Sequence, residues 1–245
     1  MNTTPSKPKT VLITGASRGI GKAAAVLFAQ KGCNLYLTCQ NSMSDLETLA
    51  ETLHAKYHIS CTPIRADMGD HKDVEYLFSN ISSLDILVNN AGISHIGLLS
   101  DMTVEQWHRV IAVNLDACFY TCKYAIPLML QNHSGKIINV SSVWGNVGAS
   151  MEAAYSASKG GVNSLTKALA KELAPSNIQV NAIACGVIDT AMNSSLSAED
   201  IEALKSEIPA DRLGTAHEAA ELILQIAEAP AYMTGQVITI DGGWY

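Results

Sequence analysis

Tyr155 and Lys159 stand four residues apart in the motif YSASK, which opens the helix-like stretch YSASKGGVNSLTKALAKELAP. On a helix, residues i and i+4 share a face, so the two side chains project side by side into one site. Acid–base work by a tyrosine near neutral pH requires a shift of about 2 to 3 units from its ordinary value near 10, or roughly 3 to 4 kcal/mol. An ammonium about 5 Å away at an effective dielectric of about 20 supplies around 3 kcal/mol. The lysine is therefore expected to be nearly sufficient to bring the tyrosine's pKa into the range of a usable proton donor. A Tyr/Lys pair at this spacing also occurs as an ordinary amphipathic surface pair. The small residues Ser156, Ala157 and Ser158 fit close approach of the helix to a cofactor, and equally to another helix.

A second chemical feature is TGASRGIG, Thr14 to Gly21, between a strand-like and a helix-like segment. Glycines at 15, 19 and 21 permit a tight turn and close approach of backbone to a pyrophosphate, and the helix N-terminus offers free N–H groups. The spacing is GxxxGxG rather than GxGxxG, so a nucleotide is expected here without the common dinucleotide fingerprint.

These residues need a scaffold. Strand-like runs TVLITGA, NLYLT, CTPIRA, LDILVNNAG, KIINVSS, IQVNAIA and QVITIDG are separated by helix-like segments, including one around 103–112 and a longer one around 113–132. Strands that cannot pair by tight hairpin imply parallel crossovers, so the expected fold is α/β: one Rossmann-type, doubly wound domain over 1–245, with a seven-stranded parallel sheet flanked by helices on both faces. A polar stretch at about 189–213 follows a strand end, where ligands bind in such sheets, and is expected to be a substrate lid.

Composition narrows the class. The chain has 245 residues, 48% of them apolar, enough for one sizeable core. A net charge of −7 with no basic run argues against nucleic acid or an anionic membrane as partner. No run of about 18 uncharged apolar residues occurs and the first residues carry no apolar leader, so a cytoplasmic location is expected. The six cysteines and seven histidines are dispersed without metal-ligand spacing, which points to structural thiols and no metal site.

TGASRGIG, NNAG at 89–92, Asn114, Ser142 followed thirteen residues later by Tyr155, and YSASK together resemble the short-chain dehydrogenase/reductase family, over essentially the whole chain through TGQVITIDGG. Within it the sequence looks most like bacterial 3-oxoacyl-acyl-carrier-protein reductases. The resemblance implies a catalytic set in which Tyr155 protonates a carbonyl oxygen as hydride arrives from a nicotinamide. Lys159 also binds the nicotinamide ribose, Ser142 holds the substrate oxygen, and Asn114 positions a water that relays protons to Lys159. Taken singly, Ser142 could merely end its strand and Asn114 could cap a helix. By the same resemblance the cofactor touches Gly15, Ser17, Arg18, Gly19, Ile20, Gly21, Asn41, Ser42, Asp67, Met68, Asn90, Ala91, Gly92, Tyr155, Lys159, Gly186, Val187, Ile188 and Thr190. A homotetramer is also implied.

NAD-selective members of the family carry an acid at the end of the second strand, where this chain has Cys39, Gln40, Asn41 and Ser42. With no carboxylate there to repel a 2′-phosphate and Arg18 able to pair with it, NADPH is the expected cofactor rather than NADH. Asp67 is expected beside the adenine, or as an Asx turn. Two departures bear on the substrate: Cys185 replaces the common proline before Gly186, and Trp144 follows the serine strand, as pocket wall or as core. Trp144-Gly145 followed by Gly148-Ala149-Ser150 also resembles a branch of Gram-positive reductases that act on a 5-aminopentanone group on a lysine of elongation factor P. His95, in NNAGISHIG, is expected on an exposed loop, with the substrate pocket as its other reading. The substrates implied are a 3-oxoacyl thioester on acyl-carrier protein or coenzyme A, an aminopentanone on elongation factor P, or another small carbonyl compound. A non-catalytic NADPH sensor is the alternative of a different class, and the complete proton-transfer set argues against it.

Overall fold

The computed structural model describes residues 7–193 and 197–245, so residues 194–196 of the expected lid lie outside the described residues. Thr10–Ile13 forms β1 and Gly19–Gln30 forms α1, followed by β2 (Asn34–Cys39), α2 (Met43–Tyr57), β3 (Cys61–Arg65), α3 (His71–Ser79) and β4 (Ile86–Asn89). Next come α4 (Val104–Ile111), α5 (Ala117–Gln131), β5 (Gly135–Ser142), the short α6 (Trp144–Val147) and α7 (Ala153–Leu173). The chain closes with β6 (Ile178–Cys185), β7 (Ile188–Asp189), α8 (Ala198–Glu207), β8 (Gly214–Thr215), α9 (Ala216–Glu228) and β9 (Val237–Ile240).

Seven strands build one parallel sheet in the order β3-β2-β1-β4-β5-β6-β9. Alternation along each strand sends side chains to two cores. Val11 and Ile13 pack with Ala24 and Phe28 of α1, Leu46 of α2 and Ile223 of α9. Leu12 points the other way, with Leu77 of α3, Ala125 and Met129 of α5 and Ala170 of α7. Full burial of each such Leu, Ile or Phe contributes about 1.5 to 3 kcal/mol. The strand order reverses between β1 and β4, which leaves a crevice at their carboxyl ends.

Two local outcomes differ from expectation. The segment expected as two helices over 103–132 runs as α4, one π-helical turn at Ala112–Asp116, and α5. Such a turn holds an extra residue in the hydrogen-bond ladder, and Asn114 lies inside it, buried. The polar 189–213 stretch, read without elements of its own, contains α8, which begins with a capping box at Ser197, and β7 pairs with β8 in a separate two-stranded sheet across its two ends. Among the described residues no helix is long and apolar enough to cross a membrane.

Candidate active site

The crevice opens into a cavity of about 840 Å³. Its first wall is the β1–α1 loop. Gly15 adopts φ of +64°, and a Cβ there would stand 3.0 Å from the Ala91 Cα, so the tight turn needs glycine. The NNAG segment grips this loop. Asn90 Nδ2 donates to the Thr14 and Gly15 carbonyls, both at 2.9 Å, while Thr14 Oγ1 accepts from the Asn90 and Ala91 N–H groups at 3.0 Å. Asn89 is buried and bonds Asn139 and Thr121, tying β4 to β5 and α5.

Helix α7 supplies the second wall. Tyr155 and Lys159 are both buried and line the cavity, with the Lys159 Nζ 5.6 Å from the centre of the Tyr155 ring. Lys159 Nζ donates to the Val140 carbonyl at 2.8 Å, which fixes the ammonium against β5. Ser142 ends β5 beside Cys185 of β6, and its Oγ accepts from the Trp144 N–H at 3.2 Å. The expected electrostatics are reversed in this setting. Burial pushes the Tyr155 phenol above its ordinary value, Ser142 opposing only in part, and burial pulls the Lys159 ammonium below its own. Loss of water penalises the phenolate more than a Coulomb sum through an exposed medium allows. Cys185 also lines the cavity, its thiol pushed up to about 12 by burial, so it is a neutral small side chain there.

The cavity gathers Ser142, Tyr155 and Lys159 at one end, and Ser17, Arg18, Gly19, Ile20, Asn41, Ser42, Asp67 and Met68 at the other. Ala91, Gly92, Gly186, Val187, Ile188 and Thr190 line the stretch between. Two expected residues stand behind the wall. Gly21 is buried, and a Cβ there would run into the Gly15 carbonyl and the Asn90 amide, so it serves helix–loop packing. Asn114 does not line the cavity with its side chain: Nδ2 donates to the Ile93 carbonyl at 2.9 Å and to Ser158 Oγ at 3.0 Å, and Oδ1 accepts from Ile93 N–H at 2.8 Å. It braces the segment after β4 against α7, and Ser158, which donates to the Tyr155 carbonyl at 2.7 Å, completes that brace.

Asp67 is both an Asx turn and a cavity residue. Its Oδ1 accepts from the Gly69 N–H at 2.9 Å, while Oδ2 accepts from Arg109 and Gln40, each at 2.8 Å. Arg109 from α4 is unforeseen in the sequence reading, because nothing near Asp67 in the chain signals it. His95 lies on a loop, half-buried, and lines the cavity, the second of its two expected readings. Trp144 is wall rather than core and stacks edge-on with Trp244, ring centres 5.0 Å apart. Trp244 and Glu152, neither singled out in the sequence, also line this end. An aromatic directly after the final strand and Gly242-Gly243 was the available signal for Trp244, since that strand ends at the same edge as β5 and β6.

A nucleotide fits this arrangement. The turn at Gly15 brings backbone close, and the first N–H groups of α1 face the same crevice. The chain belongs to the short-chain dehydrogenase family: the family model described as short chain dehydrogenase matches residues 9–201. Its members bind NAD(P), and this chain is an oxidoreductase acting on CH–OH or C=O groups.

More particular likenesses follow. The chain is 37% identical over 239 residues to the uncharacterized oxidoreductase YmfI of Bacillus subtilis, covering 97% of this chain and 99% of the relative. It is 43% identical over 243 residues to the 3-oxoacyl-acyl-carrier-protein reductase FabG of Thermotoga maritima, with 96% and 97% covered. Among solved structures, YwfH, an NADPH dependent reductase involved in bacilysin biosynthesis, superposes with a TM-score of 0.91 at 28% identity, covering 98% of this chain and 99% of that one.

Proposed function

We propose that the protein is an NADPH-dependent carbonyl reductase that converts a ketone to a secondary alcohol. The observation that carries this reading is the convergence of Ser142, Tyr155 and Lys159 on one end of a cavity whose other end is built from a glycine turn and a helix N-terminus. NADPH supplies the hydride when bound. Tyr155, held neutral by burial, gives its proton to the carbonyl oxygen, and Ser142 hydrogen-bonds that oxygen. Lys159 places a cation beside the phenol, where it stabilises the phenolate as the proton leaves. Asn114 positions the segment that carries Ile93. NADPH is favoured over NADH because Cys39 to Ser42 offers no carboxylate, Asp67 is already neutralised by Arg109, and Arg18 lines the nucleotide end.

Two ketones are in view. The FabG relatives support a 3-oxoacyl thioester, delivered on acyl-carrier protein or coenzyme A. Glu152, a carboxylate in the cavity lining, supports the 5-aminopentanone of elongation factor P, whose amine is positively charged. The test is loss of NADPH absorbance with acetoacetyl-coenzyme A and with aminopentanone-modified elongation factor P, using NADH and Tyr155→Phe as controls. Turnover of the modified factor alone identifies it as substrate, and rapid turnover of the thioester alone identifies the fatty-acyl reading. Undiminished reduction by the Tyr155→Phe variant removes Tyr155 as the acid.

A further inference from the structure

The segment that follows β9 turns back toward the catalytic end of the cavity. β9 pairs with β6 and β6 with β5, so Ile240 stands beside Cys185 and Cys185 beside Ser142. At about 4.8 Å per strand, Ile240 lies roughly 10 Å from Ser142 along the carboxyl edge of the sheet. Residues 241–244 cross that gap over the end of β6, and Trp244 comes to rest against Trp144, ring centres 5.0 Å apart. Trp144 follows Ser142 by two residues, at most about 7 Å between Cα atoms, and its N–H donates to the Ser142 hydroxyl. The indole pair therefore stands close to the hydroxyl that holds the substrate oxygen.

The crossing is held from three sides. Asp241 folds the segment onto itself, Oδ1 accepting from Gly243 N–H at 3.0 Å and Oδ2 from Tyr245 N–H at 2.9 Å. On the sheet side, Gly186 N–H donates to the Ile240 carbonyl at 2.9 Å, and a Cβ on Gly186 would stand 2.8 Å from that of Asp241. On the side of the α8 segment, Ala210 N–H donates to the Gly242 carbonyl at 3.1 Å, and a Cβ on Gly242 would meet Ile208 at 2.8 Å. Tyr245 packs on both indoles, its ring centre 4.8 Å from that of Trp244 and 5.3 Å from that of Trp144. Trp244 is half-buried there and lines the cavity. A close-packed ring that cannot swing aside excludes a chain that runs into it.

We propose that Trp244 is a specificity-determining residue: braced on Trp144, it closes the cavity beyond the carbonyl site and confines the substrate to ketones with a short chain on that side. The proposal rests on the carbonyl-reductase reading and adds a length limit that the proton-transfer residues do not impose. A loosely held indole would act in the opposite sense, its large apolar face favouring longer chains. The anchors at Gly186, Ala210 and Asp241 set the sign toward exclusion.

The test compares pentan-2-one with nonan-2-one, which is longer by four methylenes. The kcat/KM ratio of short to long ketone is followed by loss of NADPH absorbance. The corresponding ratio of affinities is measured by calorimetric titration of the protein saturated with NADP+, and decides the matter where neither ketone is reduced. The wild type is expected to favour pentan-2-one by about tenfold or more, and Trp244→Ala to lower that ratio about tenfold, with Trp244→Phe lowering it in part. Because the ratio is taken within each variant, a general loss of activity cancels, and the Phe variant answers the question if the Ala variant does not fold. A wild-type ratio near or below one, or a ratio that the Trp244 variants leave unmoved or raise, overturns the proposal, while NADPH-dependent reduction of pentan-2-one would still uphold the reductase reading. Tighter binding of the short ketone that the variants relax, without reduction of either, sustains the wall and removes these ketones from the reductase reading.

Discussion

Burial pushes the Tyr155 phenol above its ordinary value, so the phenol rests protonated. Donation of that proton to a carbonyl oxygen depends on the Lys159 cation to stabilise the phenolate that forms. Replacing Tyr155 with phenylalanine removes the proton and little volume. Turnover by Tyr155→Phe should fall about 10²- to 10⁴-fold, with NADPH still bound, as read by steady-state rates and by titration of cofactor fluorescence. The pair of Tyr155 and Lys159 was legible in the sequence because their relation is local and helical. The sign of the pKa shift was not, because the Coulomb argument left out desolvation by β5, β6 and the α6 turn. Asn114 was legible as a site residue, but its three partners at Ile93 and Ser158 exist only once α4, the π turn and α7 have met.

Among the elements, the β1–α1 turn and the start of α9 each rest on one residue. Gly15→Ala forces a left-handed conformation onto an L side chain and presses its Cβ on Ala91. The variant should lose about 1 to 2 kcal/mol of stability, measured by denaturant titration, and bind NADPH more weakly. At α9, Glu218 accepts from Thr215 N–H and Oγ1, each at 2.9 Å, and pairs with Arg212 at 2.6 Å, which holds its carboxyl at about 2. A carboxyl depressed in the folded state contributes stability that is fully present above its ordinary pKa near 4.5 and is lost as pH falls toward about 2. The Tm difference between the wild type and Glu218→Gln should therefore be largest near neutral pH and shrink through that acidic window. The same cap anchors β8, and with it the downstream end of the α8 segment. A polar, lid-like stretch was readable in composition, while its helix and its closing two-stranded sheet were not, since β7 and β8 pair across residues far apart in sequence.

At the scale of the whole molecule, the proposed preference for NADPH rests on three separate parts of the chain that meet at one end of the cavity. Arg18 comes from the first loop, the neutral Gln40 and Asn41 from the end of β2, and Arg109, which neutralises Asp67, from α4. Arg18→Ala should raise the KM for NADPH about ten- to hundredfold while moving that for NADH little, in parallel initial-rate measurements with the two cofactors. Equal effects on both cofactors would place the guanidinium away from the 2′-phosphate.

What the sequence determined by itself was everything carried by short-range pattern. The strand and helix alternation implied the parallel sheet, the glycine spacing implied the nucleotide turn, and the helical spacing in YSASK implied a shared face. Tertiary structure alone decided which side chains lose water and which distant residues become neighbours. It raised the Tyr155 pKa where the helical pairing alone would have lowered it, turned Asn114 and Gly21 into braces behind the wall, and brought Glu152, His95, Trp144 and Trp244 into the cavity lining. The reason is range: backbone periodicity is set within a few residues, whereas desolvation and side-chain partnership depend on elements that meet only when the whole sheet has formed.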